Sequence, residues 1–219
     1  EKICDIAREI LPKEAGPIAG RDYGPQEPEQ VAQPLIQETM EVSIPIFQLG
    51  YKGDAPQRGE AGARQELLGE LACEALLGNS TPLYARLYRE GLINRNFSYG
   101  YEAVPGAAFL AAGGESKDPE AVRQAVQQEA ERIVREGVDP DLWRRIKKGS
   151  YGGKVRSLNS FENLCVGQAQ SFFAGSDLLD FPRLFDTIEK TDVENLIARW
   201  VTPERTALSV VRPGEEEAK

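Results

Sequence analysis

The 219-residue sequence contains no histidine. Histidine is the commonest side-chain base near neutral pH and the commonest zinc ligand. Its absence removes every triad that needs an imidazole, every zinc site of the HExxH or HxxEH kind, and most catalytic cysteine arrangements. Carboxylates, lysine, tyrosine or a substrate-borne metal are what remain for chemistry. Cysteine is scarce too: Cys4, Cys73 and Cys165 are odd in number, far apart and without metal-ligand spacing. They read as small buried hydrophobes in a reducing cytosol, so the expected location is cytoplasmic. No window approaches 18 consecutive apolar residues, which excludes a hydrophobic helical membrane span. The first residues, Glu1 to Cys4, lack the basic-then-apolar design of a signal peptide. No initiator Met is present, and the expectation is a processed product or an excised piece. Basic charge is also short. The net charge of −9 offers nothing to phosphate neutralisation, so nucleic acid is not an expected partner.

What is present is ordinary for a globular protein: 41% hydrophobic and 28% charged residues. A chain of this length hides roughly 70% of the surface its unfolded form exposes. Residues 2–11 set Ile3, Ile6, Ala7 and Ile10 on one helical stripe. From Pro12 to Pro34, eight of 23 residues are Pro or Gly, which reads as a linker. Residues 40–51 are rich in β-branched and aromatic side chains, with Pro45 arguing for an edge strand or a bulge.

Residues 63–77 predict a helix with Leu67, Leu68, Leu71, Ala72, Ala75 and Leu76 on its apolar face, and Gly78-Asn79 as a left-handed stop. Ser80, Thr81 and Pro82 restart a helix that buries Leu83, Tyr84, Leu87 and Tyr88 and ends at Gly91. Residues 96–102 and 107–113 predict a hairpin around a type II turn at Pro105-Gly106. Asp118 opens a helix running to Gly137, and Asp139-Pro140 opens another that covers Trp143 to Ser157. Thr191 with Glu194 fits a capping box. Residues 206–211 predict a closing strand, and 215–219 a charged disordered tail. Together these elements predict an α+β fold with a mostly antiparallel sheet covered by helices on one face.

Two features carry competing readings, and two more fail their own tests. Gly149, Gly152 and Gly153 lie inside a predicted helix, where close packing or a kink competes with phosphate binding. The run from Arg144 to Arg156 holds six basic residues. It reads either as a solvated face snorkelling over apolar surface or as a basic wall facing an anionic peptide or a partner. Gly113-Gly114 ends a strand, but no GxGxxG helix follows, so the dinucleotide fingerprint fails. The acidic clusters Glu215 to Glu217 and Glu27/Glu29 sit off rigid elements and give no signal for carboxylate catalysis.

Four ordered stretches carry a resemblance: Ile44 to Asp54 (IPIFQLGYKGD), Leu76 to Gly100 (LLGNSTPLYARLYREGLINRNFSYG), Ala107 to Pro119 (AAFLAAGGESKDP), and Val138 to Asn163. Over residues 35–213 the chain resembles the C-terminal domain of insulinase/pitrilysin-type zinc metallopeptidases, in the bacterial branch made of two neighbouring family members. The resemblance implies a clamshell half-domain of the mitochondrial-processing-peptidase-like kind. Residues 1–34 would be the terminal helix of a preceding domain plus a linker, and 214–219 a charged tail. It implies no cofactor in this chain and a zinc in the missing N-terminal domain, on a His-x-x-Glu-His helix. The implied partners are that zinc-bearing domain, a homo- or heterodimeric family member, and a peptide substrate.

The family also has an Arg and a Tyr seven residues apart, spanning a Gly-Leu break, which stabilise the oxyanion near the zinc. Here that register places Leu87 and Asn94, and a one-residue slide gives Arg86 with Ile93. The pair is missing. Arg144/Tyr151 has the spacing but lies in the wrong element. The absence implies that the parent is the zinc-bearing partner of a two-protein peptidase, or an inactive relative. The readings of function are accordingly a non-catalytic domain of a zinc peptidase, an inactive scaffold or peptide-binding relative like the core subunits of some respiratory complexes, and an unrelated α+β protein.

On the peptidase reading, Arg86, Arg89, Asn94 and Phe97 are the candidate peptide-facing residues, with core packing the competing reading for Phe97. Arg89→Ala is expected to weaken peptide binding by the parent assembly in a direct titration. Unchanged binding removes Arg89 from the peptide-facing set.

Overall fold

The structure is a computed structural model that describes residues 1–11, 16–17, 19–20, 22–25 and 27–214. The charged tail expected at 215–219 lies outside the described residues. Five strands form one sheet: β1 (Leu35–Met40), β2 (Ile46–Lys52), β3 (Ser98–Val104), β4 (Ala107–Glu115) and β5 (Thr206–Pro213). Their order is β1-β5-β2-β4-β3, which leaves β1 and β3 at the edges. β2 pairs antiparallel with both β4 and β5, β3 pairs antiparallel with β4, and β1 runs parallel to β5. The sheet is therefore mixed, with antiparallel pairings in the majority.

The helices are α1 (Lys2–Ile10), α2 (Gly59–Leu77), α3 (Pro82–Arg89), α4 (Pro119–Glu136), α5 (Pro140–Ser157), α6 (Phe161–Ala174), α7 (Phe181–Asp186) and α8 (Lys190–Trp200). Alternation along the strands decides which sheet face they cover. Phe47, Leu49 and Tyr51 of β2, Ala108, Leu110 and Ala112 of β4, and Leu208 and Val210 of β5 are buried, while residues between them on β2, such as Ile46 and Gln48, are exposed. On the buried face α2 contributes Leu67, Leu71, Ala72, Ala75 and Leu76, with Leu68 half-buried beside them. Trp200 closes the core from the end of α8, fully buried, with its indole N–H donating to Asp54 at 3.3 Å.

Local signals mostly act as expected. Thr81 accepts from the Tyr84 N–H, Asp118 from Ala121 and Asp139 from Leu142, each with Pro at the start of the helix. Gly106 has φ +88°, the left-handed geometry that the third residue of a type II turn needs.

Other expectations are corrected. The run 40–51 is two features: β1 ends at Met40, and β2 begins only at Ile46. Pro45 precedes β2, a central strand, so it makes neither an edge strand nor a bulge. Gly78 ends α2 in an extended conformation (φ −59°, ψ 149°), not a left-handed one, because the chain turns straight into the Thr81 cap. The capping box of α8 is Glu189 with Asp192, two residues before the expected pair. Tyr88 is exposed on α3, whose buried face is Leu83 and Leu87. Helices α6 and α7 add to the elements that the sequence predicts.

The segment ahead of β1 is tied to the domain. Glu27 meets Lys52 at 2.6 Å, Glu29 meets the buried Arg205 at 2.7 Å, and the Val31 N–H donates to Glu204 O at 3.0 Å. In α1 no residue is buried, and Ile3, Ile6 and Ile10 are exposed.

Gly69 faces the Tyr101 ring so closely that a Cβ there would overlap it. Gly69→Ala is expected to cost about 1–3 kcal/mol by overpacking, read as a lower midpoint in chemical denaturation. An unchanged midpoint would contradict this packing.

Candidate functional site

Helix α2 carries three of its four carboxylates at intervals of four, Glu66, Glu70 and Glu74, so they rise along one helical face beside the buried stripe. Facing them is α5, whose two halves differ. Its first half is anchored by buried Leu142 and Ile146, and its second half contributes no buried residue. That second half contains Gly149, Gly152 and Gly153, where an added Cβ would meet nothing within 4 Å. The expected close packing of these glycines is thus corrected: they face open space.

The result is a cleft of about 390 Å³ between the edge strand β3, α2 and the second half of α5. Glu70, Cys73 and Glu74 line it from α2, Tyr99 to Tyr101 from β3, and Ser150, Gly153, Lys154 and Ser157 from α5. As an edge strand, β3 has backbone donors and acceptors unused by the sheet along this side.

The electrostatics of the cleft are uneven. Lys154 reaches across from α5 to Glu70, with N–O distances of 2.8 and 3.0 Å. Among the described residues no cation pairs with Glu74: its carboxylate accepts from the Tyr99 hydroxyl at 3.3 Å. Burial raises the Glu74 pKa above the usual carboxylate range, against the lowering effect of the Tyr99 hydrogen bond, and the charge of Glu70 adds to the rise. Burial and then Glu70 push Glu66 up in the same way, with Lys154 opposing. Burial, followed by Glu74, pushes the Tyr99 hydroxyl up to about 12. Tyr101, likewise raised to about 12 by burial and then by Glu66, stacks on Trp200 with ring centroids 6.2 Å apart. Cys73 sits at the floor, 2% exposed, its thiol pKa pushed up by burial and the surrounding carboxylates. A thiol held protonated is no nucleophile.

The basic run divides its work. Arg144 pairs with Asp141 at 2.9 Å, and Lys147 donates to Ile188 O at 2.7 Å while lying over the Trp143 and Phe185 rings. Lys154 enters the cleft, and Arg145, Lys148 and Arg156 are exposed. Tyr151 packs on Phe181 and Phe185, away from Arg144's partner.

The four residues singled out from the sequence do not converge on this cleft. Arg86 and Arg89 are exposed on the last turn of α3, with no ion-pair partner among the described residues. Asn94 holds the turn into β3: its amide donates to Glu115 at 2.7 Å and its carbonyl accepts from the Asn96 N–H at 2.8 Å. Phe97 is 8% exposed and packs among Phe47, Tyr84 and Tyr99, so its ring belongs to the core. The cleft itself was missed. Its signal was present in the four-residue spacing of Glu66, Glu70 and Glu74, and in a helix whose second half is glycine-rich.

A metal centre has no donors here. Among the described residues no three His, Cys, Asp or Glu side chains group to hold an ion. No helix among the described residues is long and apolar enough to cross a membrane.

Residues 1–150 match the family model described as the Peptidase M16 inactive domain. The chain belongs to that family. Over 179 residues, 80% of this chain and 41% of the relative, the M16 inactive domain is 28% identical to the uncharacterized zinc protease YmfH of Bacillus subtilis. A putative M16-like peptidase from Alicyclobacillus acidocaldarius superposes with a TM-score of 0.88 at 20% identity, over 97% of this chain and 51% of that one. A protease from Helicobacter pylori superposes with a TM-score of 0.74 at 16% identity, over 97% of this chain and 52% of that one. The M16 inactive domain therefore spans about half the length, or less, of these relatives. At such identities the superpositions establish the fold.

The raised pKa of Glu74 has a defined sign in stability. The folded state binds its proton more tightly than the unfolded chain, so the domain gains stability as pH falls and loses it as pH rises from the unfolded value of about 4.5 through the raised folded value. Glu74→Gln is expected to match or exceed the wild-type stability at pH 8, and to lose that advantage at pH 4, in denaturation midpoints measured at both pH values. A larger deficit at pH 8 than at pH 4 would contradict the assignment.

Proposed function

We propose that this M16 inactive domain forms part of a peptide-holding chamber in a zinc-dependent peptidase, with the zinc carried by a preceding N-terminal domain. The observation that carries the reading is the cleft along β3. An edge strand with unused backbone groups, beside a cleft of about 390 Å³, suits an extended peptide segment of a few residues. The main chain of such a segment pairs with β3, and its side chains enter the space left by Gly153. The zinc protease name of the Bacillus subtilis relative supports the same assignment. The residues of this chain do not fit zinc, lacking histidine and, among those described, any suitable cluster of donors.

The partners on this reading are the zinc-bearing domain of the same polypeptide, a second family member in a homo- or heterodimer, and the peptide. Exposed Arg86 and Arg89 add a basic edge on α3 for the same peptide or for the partner. Helix α1, with its apolar stripe turned to solvent, belongs to the preceding domain. With Leu87 and Asn94 at the positions of the family's Arg and Tyr, this domain lacks that pair, and the partner supplies it. The setting is the bacterial cytoplasm, in keeping with three unpaired thiols, Cys4, Cys73 and Cys165.

Gly153→Leu tests the reading, because the position lines the cleft, a Cβ there meets nothing within 4 Å, and leucine favours a helix over glycine. Peptide affinity of the native polypeptide containing this domain is expected to fall at least about tenfold, roughly 1.4 kcal/mol. Gly152→Leu, on the far side of α5, is expected to leave affinity unchanged in the same anisotropy titration. Equal affinities for the wild type and Gly153→Leu would remove the cleft from the chamber.

A further inference from the structure

The cleft has a chemical preference beyond holding a peptide main chain. Of the ionised groups that line it, Glu70 and Glu74 are acidic and Lys154 alone is basic. Lys154 is committed to Glu70. Glu74 keeps a neutral partner, the Tyr99 hydroxyl. Glu66 stands one turn before Glu70 on the same face, and Glu102 on β3 adds to the negative field felt at the Cys73 floor. Two further observations point to an occupant. The rings of Tyr99 and Tyr101 form an aromatic side to the cavity. The Cys73 thiol is 2% exposed at the floor, with no hydrogen-bond partner among the described residues.

From this geometry we infer that the cleft is a subsite for the cationic side chain, lysine or arginine, of an extended peptide held on β3. The inference rests on the peptide-holding reading and deepens it. An aliphatic stem lies along the tyrosine rings, and the charged head reaches Glu74, which, unlike Glu70, pairs with no cation among the described residues. A volume of about 390 Å³ lies within the range of roughly 300–1,000 Å³ typical of small-ligand sites, room enough for one long side chain. The attraction is strongest where the carboxylates are half-buried and screened least by salt. Burial first, and then the neighbouring charge of Glu70, hold Glu74 and Glu66 above the ordinary carboxylate range, and an entering cation offsets both effects. A metal ion is a poorer match, since no trio of donors groups there among the described residues.

The test compares two peptides that differ at one residue, lysine in one and its neutral isostere norleucine in the other, titrated into the native polypeptide. In the wild type the lysine peptide is expected to bind at least tenfold more tightly, with the ratio shrinking as salt rises. Glu74→Gln, nearly isosteric, is expected to bring the ratio close to one, with its melting curve confirming the fold. Lys154→Gln releases Glu70 from its internal partner and is expected to raise the ratio. Equal affinity for the two peptides in the wild type, or a lysine preference untouched by Glu74→Gln, overturns the cationic subsite. If Gly153→Leu still weakens both peptides in that case, peptide holding stands without charge selection. If Gly153→Leu weakens neither, the peptide-holding reading falls, and the subsite with it.

Discussion

Helix α2 is the element on which the rest of the structure depends. One face of it is buried to completion, with Leu71, Ala72 and Leu76 all at 0% exposure against the sheet and the helices around it. The adjoining face carries Glu66, Glu70 and Glu74. A single rigid helix thus fixes the core and one wall of the cleft together, and neither can shift without the other. Close packing enforces this: Gly69 lets the Tyr101 ring lie directly on the helix, and Tyr101 in turn stacks on the buried Trp200. Interiors packed to this density transmit displacement instead of absorbing it.

The opposite wall is built on the contrary principle. Helix α5 starts with a capped, proline-led turn and two buried aliphatic side chains, then continues as a glycine-rich rod with no buried residue, its Tyr151 ring resting on Phe181 and Phe185. Glycine in a helix interior costs roughly 1 kcal/mol relative to alanine. Three of them in five residues weaken the helix without improving its packing, since no neighbour comes within 4 Å of where their Cβ atoms would be. What they leave is room. The Lys154–Glu70 bridge then acts as a strut between the walls. A cleft kept open at a cost in helix stability is the feature of this domain least explained by folding alone.

The sequence was readable where one local signal had no rival. Capping residues followed by proline located the starts of α3, α4 and α5, and Pro105-Gly106 located the hairpin. The ordered stretches from Ile44 to Asn163 pointed to the family and, with it, to an α+β half-domain. It was unreadable where tertiary pairing decides. Strand β1 is exposed along its whole length and shows no alternation, being held by its parallel partner β5 from the far end of the chain. Helix α6 buries no residue and so lacks a clean apolar stripe. At the site, searching around the Gly91-Leu92 break favoured Asn94 and Phe97, whose side chains serve the turn and the core. The cleft depends on α2 and α5 meeting across about 80 residues of sequence, as Lys154 and Glu70 do; the carboxylate spacing and the glycines mark each wall separately, and only tertiary packing brings them together.

The central claim is that a peptide lies along β3. Hydrogen exchange of the native polypeptide with and without a bound peptide measures this most directly, residue by residue. The account predicts that amides of Ser98–Val104 exchange more slowly in the complex, together with those of the second half of α5. Protection confined to other parts of the molecule, with β3 exchanging at its free rate, would contradict it.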